Sequence, residues 1–230
     1  MAGKTALLIP AYNEATRLGK VLEVVCNYPR PLQILVIDDG STDATAAEAQ
    51  QYPVDIISFP RNRGKGAALQ AGIQHLGRAP YWIFLDADLI NLENRHLDAL
   101  LDPLQENPDT AMSVGIFRGG RSNTDLAHRF FGILNGQRGL SDFFVSHLPD
   151  LSWSHFGVEI FLSKYAAYQG YRVDYPTLAG LTHYTKESKF GFPRGFAYRL
   201  QMYRECIYSL FFWKKYVNTA APSVEEESHP

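Results

Sequence analysis

Two aspartates one residue apart form the first candidate for a reactive or metal-binding site. Asp86 and Asp88 end the apolar run "YWIFLDADL". In an extended chain, residues i and i+2 lie on the same side, so these charges repel unless a cation lies between them. Such a pair can hold a hard divalent cation, Mg²⁺ or Mn²⁺, which in turn binds substrate phosphates. The alternative is a polar loop in which Asp88 bonds to nearby backbone.

A basic loop with two glycines is the second candidate. "RNRGKG", residues 61–66, precedes a helical pattern. Backbone N–H groups at a helix N-terminus attract anions, and glycines let a phosphate approach closely. The loop lacks the GxxxxGK[ST] pattern of a Walker loop. A glycine turn with solvated charges is the alternative.

The third candidate is the acidic segment "DDGSTD", residues 38–43. Its last three residues are good helix N-caps, which explains part of the pattern. Asp38 and Asp39 are not explained by capping. A carboxylate at a strand end can accept hydrogen bonds from a nucleobase N–H or a ribose hydroxyl, which is the functional interpretation.

Short apolar runs alternate with helical patterns from residue 5 to about 117, and they must position these segments. The predicted strands are "TALLIPAY", "LQILVIDD", "VDIISF", "YWIFLDAD" and "TAMSVGIF". Helices are predicted over about 14–28, 42–51, 65–77 and 93–105. The βαβαβαβαβ order favours an α/β fold with a mostly parallel sheet flanked by helices. Ligands bind beyond the carboxyl ends of such strands, where the polar segments fall, so we predict a nucleotide-sized site there.

Composition excludes some partners. The chain has 230 residues, 46% of them hydrophobic, which suits one sizeable domain, and a formal charge of −2 gives no basic field for nucleic acid. Cys26 and Cys206 lie far apart without metal-binding spacing, which favours a reduced, cytoplasmic chain. No signal peptide or bilayer-spanning run is recognised.

Four ordered motifs resemble a known family. "IPAYNE", "VIDDGSTDAT", "RNRGKGAAL" and "FLDADL" look like a family 2 glycosyltransferase of the GT-A fold, over roughly the first 90 residues. The resemblance implies a Rossmann-like domain over residues 1–217. We expect a nucleotide-sugar half at 1–117 and an acceptor half at 118–217. The acidic residues 218–230 are predicted to be a disordered tail.

The resemblance also implies a donor site for a UDP- or GDP-sugar with Mg²⁺ or Mn²⁺. Asp86 and Asp88 would face the metal and the diphosphate, and Asp88 is also a predicted catalytic residue. The predicted donor-binding residues are Pro10, Tyr12, Glu14, Asp38, Asp39, Lys65, Asp86 and Arg121.

The third metal ligand is predicted to come from the second half of the chain. "DADL" resembles the dolichyl-phosphate mannose synthase and polyprenyl-phosphate glycosyltransferase branch, in which a glutamine often follows as a ligand. Ile90 stands at that place and cannot ligate. "FGVEIFL" and "AGLTHYTKESK" resemble segments of glucosyl-3-phosphoglycerate synthases, in which a late histidine joins the metal, so His183 is the predicted ligand. A loop histidine bonded to backbone is the alternative.

Glu159 and several basic residues are predicted to handle the acceptor. A carboxylate in "FGVEIFL" is costly to bury without a partner, so Glu159 is a candidate base or acceptor-orienting group. Its alternative is a helix N-terminal acid favoured by the macrodipole. Arg118, beside two glycines, is predicted to clamp an acceptor phosphate. Further candidates for that clamp, with surface charge as their alternative, are Arg121, Arg129, Arg138, Lys186 and Lys189.

The function predicted from these residues is metal-dependent transfer of a sugar to a phosphate-bearing acceptor, with polyprenyl or dolichyl phosphate as first choice. A small acceptor such as 3-phosphoglycerate, or an inactive sugar-nucleotide binding protein, are the alternatives. A nucleotidyltransferase is disfavoured because no GxGTR-like loop follows the first strand. The aromatic, basic segment 194–217 predicts peripheral contact with an anionic membrane, or else a core-covering helix or homodimer contact.

Overall fold

The structure is a computed structural model that describes residues 4–118, 135–183 and 204–217. Strands are numbered in chain order. They are β1 (Thr5–Ala11), β2 (Leu32–Asp38), β3 (Asp55–Ser58), β4 (Tyr81–Phe84), β5 (Leu89–Ile90), β6 (Thr110–Val114), β7 (Ile116–Arg118), β8 (Arg138–Ser141), β9 (Arg172–Asp174), β10 (Thr177–Ala179) and β11 (Thr182–His183).

Helices cover both faces of the strands. They are α1 (Leu18–Cys26), α2 (Thr45–Ala49), α3 (Lys65–Leu76), α4 (Asn94–Glu106), α5 (Asp142–Ser146), α6 (Val158–Tyr168), α7 (described over 204–212) and α8 (Lys214–Val217). A single 3₁₀ turn, His155–Gly157, leads directly into α6.

The central sheet has the order β3-β2-β1-β4-β8-β6-β9. Strands β3, β2, β1 and β4 are parallel, β8 runs antiparallel between β4 and β6, and β9 is parallel to β6. The prediction of an α/β fold with a mostly parallel sheet is therefore confirmed. The division of the chain at residue 117 stays a prediction.

The core follows from the alternation of apolar side chains along buried parallel strands. Leu8 and Phe84 face a layer that contains α3, α5 and α6, whereas Leu7 and Ile83 face α1 and α4. All four side chains are buried. Because both faces are covered, the polar residues after each strand have only the sheet edge available, which is where the candidate site forms.

Two predicted elements differ from the observed ones. The strand predicted over "TAMSVGIF" divides at Gly115 into β6 and β7, which belong to different sheets. A Cβ at Gly115 would meet the Leu178 side chain, so glycine allows β10 to pair with β7. The helices predicted from 14 and from 42 begin only at Leu18 and Thr45, because the preceding residues form turns between strand ends.

Candidate active site

Turns join the carboxyl ends of β1 and β2. The Asn13 N–H donates to Ser41 Oγ (2.9 Å), and the Thr42 N–H donates to Asn13 Oδ1 (2.8 Å). Asn13 has φ of 55°, a left-handed conformation that asparagine tolerates better than most residues. The Glu14 N–H donates to Thr45 Oγ1 (2.8 Å), and the buried Glu14 side chain also contacts Arg17. Sequence reasoning missed the linking role of Asn13.

Asp39 joins the end of β2 to the loop before α3. Its carboxylate accepts the backbone N–H of Arg63 (2.7 Å) and of Gly64 (2.8 Å). Burial raises the pKa of Asp39, and the two backbone bonds oppose that rise. Asp38, also buried, accepts the Ser41 N–H (3.0 Å). Both predicted donor-binding aspartates therefore hold the loops of this edge in place.

Lys65 lies at the centre of a cluster formed by Lys65, Asp86, Gln137 and Glu159, which we call the carboxylate–lysine cluster. Lys65 Nζ lies 2.5 Å from Asp86 Oδ1 and 2.6 Å from Glu159 Oε1. Gln137 Nε2 donates to Asp86 Oδ2 (2.7 Å). The cluster thus brings together one residue each from the start of α3, the segment just after β4, the segment just before β8 and the first turn of α6.

The electrostatics of the carboxylate–lysine cluster follow from burial and opposite charge. Burial alone would lower the pKa of Lys65, but Asp86 and Glu159 outweigh it and hold that pKa above its ordinary value. Burial alone would raise the pKa of Asp86, but the Lys65 ammonium and the bond from Gln137 lower it. Lys65 therefore stays cationic and Asp86 stays anionic at neutral pH.

Gln137 was not identified from the sequence. It is fully buried, and its Oε1 has no hydrogen-bond partner in the described part of the chain. A Cβ at the preceding Gly136 would lie within 2.7 Å of atoms of Asp86 and Lys65, so glycine is needed beside the cluster. No motif marked either residue, because their importance arises only from the pairing of β8 with β4.

Arg138 is not a phosphate clamp, so that prediction is wrong. Its side chain is 1% exposed and donates to the backbone carbonyls of Asn135 and Glu159 and to Ser163 Oγ, each at 3.0 Å. Burial lowers the pKa of Arg138 to about 10. The guanidinium holds the first turn of α6 against β8, and so supports the position of Glu159.

Strand pairing brings His183 next to the aspartates. In the antiparallel pair β5–β11, His183 lies opposite Leu89 and Thr182 lies opposite Ile90. Asp88 immediately precedes Leu89, and the charge of His183 contributes to the lowered pKa of Asp86. The chain thus places a histidine beside β5, in which Ile90 offers no ligand.

The residues present fit a divalent cation by their donor chemistry. Carboxylate oxygens and an imidazole nitrogen suit Mn²⁺, and Mg²⁺ accepts carboxylates with phosphate oxygens. Across the described residues, no group of three or more His, Cys, Asp or Glu side chains is gathered at metal-binding spacing. Asp86 is engaged by Lys65. The other two predicted metal ligands lie beside Leu89, since Asp88 precedes it and His183 pairs with it.

The remaining predicted residues lie as follows. Pro10, near the end of β1, and Tyr12, just after it, are half-buried at the same sheet edge. Arg118 is the last residue of β7. Those outside the described residues are Arg121, Arg129, Lys186 and Lys189, together with residues 194–203 and 218–230.

Residues 151–155 pack directly on the start of α3 and on the loop before it. A Cβ at Gly66 would lie 2.4 Å from the carbonyl oxygen of Leu151 and 2.2 Å from Ser154 Oγ. His155 has φ of 46° and contacts Gly64. These contacts fix how far Glu159 lies from Lys65.

Solved structures share this fold. Glucosyl-3-phosphoglycerate synthase from Mycobacterium tuberculosis, crystallised with Mn²⁺, UDP and glucosyl-3-phosphoglycerate, aligns with a TM-score of 0.73 over 90% of this chain and 78% of that one, at 22% identity. The same enzyme with Mg²⁺ and UDP aligns equally well at 23% identity. The α/β architecture is therefore that of the GT-A glycosyltransferases.

Curated relatives match part of the chain. A dolichyl-phosphate beta-glucosyltransferase of Trichomonas vaginalis is 38% identical over 97 residues, which are 36% of this chain and 30% of the relative. A dodecaprenyl-phosphate galacturonate synthase of Rhizobium johnstonii is 34% identical over 117 residues, 42% of this chain and 34% of the relative. The chain spans about a third of the length of these relatives. The model of the family described as "Glycosyl transferase family 2" matches residues 6–165, and the chain belongs to that family.

Proposed function

We propose that this chain transfers a sugar from a nucleoside diphosphate sugar to the phosphate of a polyprenyl or dolichyl lipid, with Mg²⁺ or Mn²⁺. The observation that carries the proposal is the carboxylate–lysine cluster at the carboxyl ends of the strands. The similarity to a dolichyl-phosphate beta-glucosyltransferase and a dodecaprenyl-phosphate galacturonate synthase supports the lipid acceptor. The donor is a UDP- or GDP-sugar, and UDP is favoured because the solved neighbours were crystallised with UDP.

The donor would lie across the ends of β1, β2 and β4. Pro10, Tyr12 and Glu14, with Asp38 or Asp39, would line the nucleoside pocket. The backbone of the loop before α3 would approach the diphosphate, with the Lys65 ammonium close by. Asp88 and His183 would hold the cation, which when bound neutralises the charge on the leaving diphosphate.

Transfer itself requires one substitution at the sugar. A phosphate oxygen of the acceptor attacks the anomeric carbon, and the bond from that carbon to the donor diphosphate breaks. An acceptor phosphate is already ionised, so Glu159 need not remove a proton and would instead orient the sugar. The buried Gln137 Oε1 would accept a hydrogen bond from a sugar hydroxyl. Arg118 and Arg121 are the proposed contacts to the acceptor phosphate.

A second acceptor class is favoured by a separate observation. The solved neighbours that share the fold over 90% of this chain are glucosyl-3-phosphoglycerate synthases, one of them crystallised with Mn²⁺, UDP-glucose and phosphoglyceric acid. A small phosphorylated acceptor is therefore the alternative, and an inactive sugar-nucleotide binding protein is the second. We also propose that the chain attaches to the cytoplasmic face of a membrane and that it forms a homodimer.

Thermal stabilisation followed by turnover tests the proposal. UDP- and GDP-sugars are titrated with Mn²⁺ or Mg²⁺, and a ligand at a hundredfold of its Kd should stabilise the fold by about 2.7 kcal/mol. Turnover is then measured with polyprenyl phosphate and with 3-phosphoglycerate as competing acceptors. A fold that no nucleotide sugar stabilises would contradict the donor, and turnover with phosphoglycerate alone would contradict the lipid acceptor.

The metal ligands are tested with matched variants. Asp88→Asn and His183→Ala should each abolish the extra stabilisation that Mn²⁺ adds to UDP. Asp55→Asn and His75→Ala, which change exposed residues on β3 and α3, serve as controls and should keep it. If Mn²⁺ still enhances UDP binding to both site variants as in the wild type, the proposed ligands are wrong.

A further inference from the structure

The described C-terminal helices present an apolar outer face. Phe211 is 72% exposed, Ile207 57% and Phe212 54%, and Tyr208 and Leu210 are also exposed. We call the exposed side chains of α7 and α8, polar and apolar together, the outer face. Isolated exposed apolar residues are ordinary, whereas a contiguous patch of this kind marks an interaction site.

The same helices are firmly attached to the protein by their opposite side. Ser209 is fully buried and Trp213 is 8% exposed, and Trp213 belongs to the core cluster that contains α6. Trp153 stacks on Tyr216 with ring centroids 3.8 Å apart. The outer face is therefore distinct from the inner side of these helices, which packs on the core.

The outer face also carries positive charge. Residues 204–217 contain three basic residues, Arg204, Lys214 and Lys215, and all three are exposed. The single acid of this range, Glu205, accepts the Phe156 N–H (3.2 Å) on the inner side. Lys214 Nζ lies 5.8 Å from the Trp213 ring centroid and 5.9 Å from that of Tyr168. Long basic side chains among apolar ones can reach phosphate headgroups while their stems stay in apolar surroundings.

We infer that the outer face of α7 and α8 binds an anionic lipid surface. Large apolar residues mixed with lysine and arginine, and no acid, are typical of helices that lie in a membrane interface. A second copy of this chain fits less well, because a two-fold contact would bring like charges together. Within the described residues, no helix has the length and hydropathy to cross a bilayer.

The position of these helices links the lipid surface to the active site. Cys206 and Glu205 bond to backbone atoms of Phe156, and a Cβ at Gly157 would collide with Ser209. The same turn leads into α6, whose second residue is Glu159. Docking of the outer face would therefore hold the acceptor side of the site at the membrane. This inference rests on the proposed lipid acceptor.

The test is binding of the full chain to vesicles of phosphatidylcholine, with and without phosphatidylglycerol. We expect binding to the anionic vesicles that weakens with added salt. Lys214→Gln with Lys215→Gln should weaken it about 30-fold, because each cation near an anionic surface contributes roughly fivefold. Ile207→Ser with Phe211→Ser should reduce binding at every salt concentration.

Matched variants elsewhere on the surface control for exposure alone. Phe143→Ser with Tyr175→Ser removes two comparably exposed aromatic residues, and Lys4→Gln with Lys20→Gln removes two exposed lysines. Both pairs should bind vesicles like the wild type. The inference is overturned if the wild type ignores anionic vesicles, if the outer-face variants bind them unchanged, or if those variants only convert a dimer to monomers.

A second measurement separates this inference from the proposed function. Turnover of the outer-face variants with a short-chain, water-soluble prenyl phosphate should equal that of the wild type, while turnover with a long-chain acceptor in vesicles falls. Loss of both activities in the variants would contradict a role confined to docking. If neither acceptor is used by the wild type, the proposed function fails, and vesicle binding still decides the inference.

Discussion

Lys65 Nζ lies 2.6 Å from Glu159 Oε1, although 94 residues separate the two along the chain. The contact joins the first residue of α3 to the first turn of α6, and its lysine also holds Asp86. One ammonium therefore neutralises the half-buried Asp86 and the buried Glu159, which come from different parts of the fold. Lys65 organises the site even before a donor binds.

Replacing Lys65 should destabilise the fold. Lys65→Met leaves Asp86 and Glu159 near each other without a cation, and breaking a buried ion pair in this way costs on the order of 3 kcal/mol. Chemical denaturation gives the free energy of unfolding, with Lys20→Met on the exposed side of α1 as control. The double variant Lys65→Met/Glu159→Gln should recover part of the loss. No recovery would mean that the two side chains are not coupled.

Adding one methyl group at Gly66 should push α3, which carries Lys65, away from the segment that leads to Glu159. Alanine normally favours a helix over glycine by about 1 kcal/mol, but a Cβ here meets the Leu151 carbonyl oxygen at 2.4 Å. Gly66→Ala should therefore destabilise the protein by about 1–3 kcal/mol and weaken UDP binding. Gly72→Ala in the same helix meets only side-chain atoms of Leu8 and Ile37, so its loss should be smaller. Equal losses would contradict the close backbone contact.

Arg138 should matter for stability. Arg138→Met leaves buried carbonyl oxygens of Asn135 and Glu159 without that donor, which should cost about 3 kcal/mol. Arg78→Met removes an exposed pair with Asp142 and should change the unfolding free energy by less than about 1 kcal/mol. A stable Arg138→Met protein that fails only in acceptor binding would restore the phosphate-clamp interpretation.

Stability should fall at alkaline pH, partly through Tyr28. Its hydroxyl donates to Asp98 Oδ1 (2.6 Å), and burial together with that aspartate raises the pKa of Tyr28 above its ordinary value of 10.0. The folded protein therefore keeps this proton where the unfolded chain loses it. The contribution is complete below pH 10 and is lost as the pH rises toward the folded pKa. Lys65, whose pKa is also raised, acts in the same direction.

Denaturation at about pH 9 and about pH 11 measures this effect. Tyr28→Phe should lose less stability over that interval than the wild type, because the phenylalanine has no proton to release. Tyr175→Phe, at a residue that is 49% exposed, should behave like the wild type. An unchanged slope in Tyr28→Phe would show that the phenol does not contribute.

Local pattern was enough to predict the strands that precede Asp39 and Asp86 and the helix that begins at Lys65. Each follows an apolar run bounded by turn residues, and parallel strands end at a common edge. The partners of these residues were not predictable in the same way. Asp39 looked like a ligand contact, but it bonds to the backbone of Arg63 and Gly64, which lie 24 and 25 residues further along the chain and which local pattern does not connect to it.

The amino-acid sequence by itself determined the family, the mostly parallel sheet and the edge where the polar residues gather, because strand periodicity and turn chemistry are local properties. The burial of Arg138 and the hydrogen bond from Gln137 to Asp86 result from tertiary packing. So does the pairing of two short strands that brings His183 opposite Leu89. These facts depend on which distant segments pack together, and strands as short as β5 and β11 leave no periodic signal. Burial then fixed which charges are cationic or anionic in the site, since the protonation of Lys65 and Asp86 follows from their neighbours.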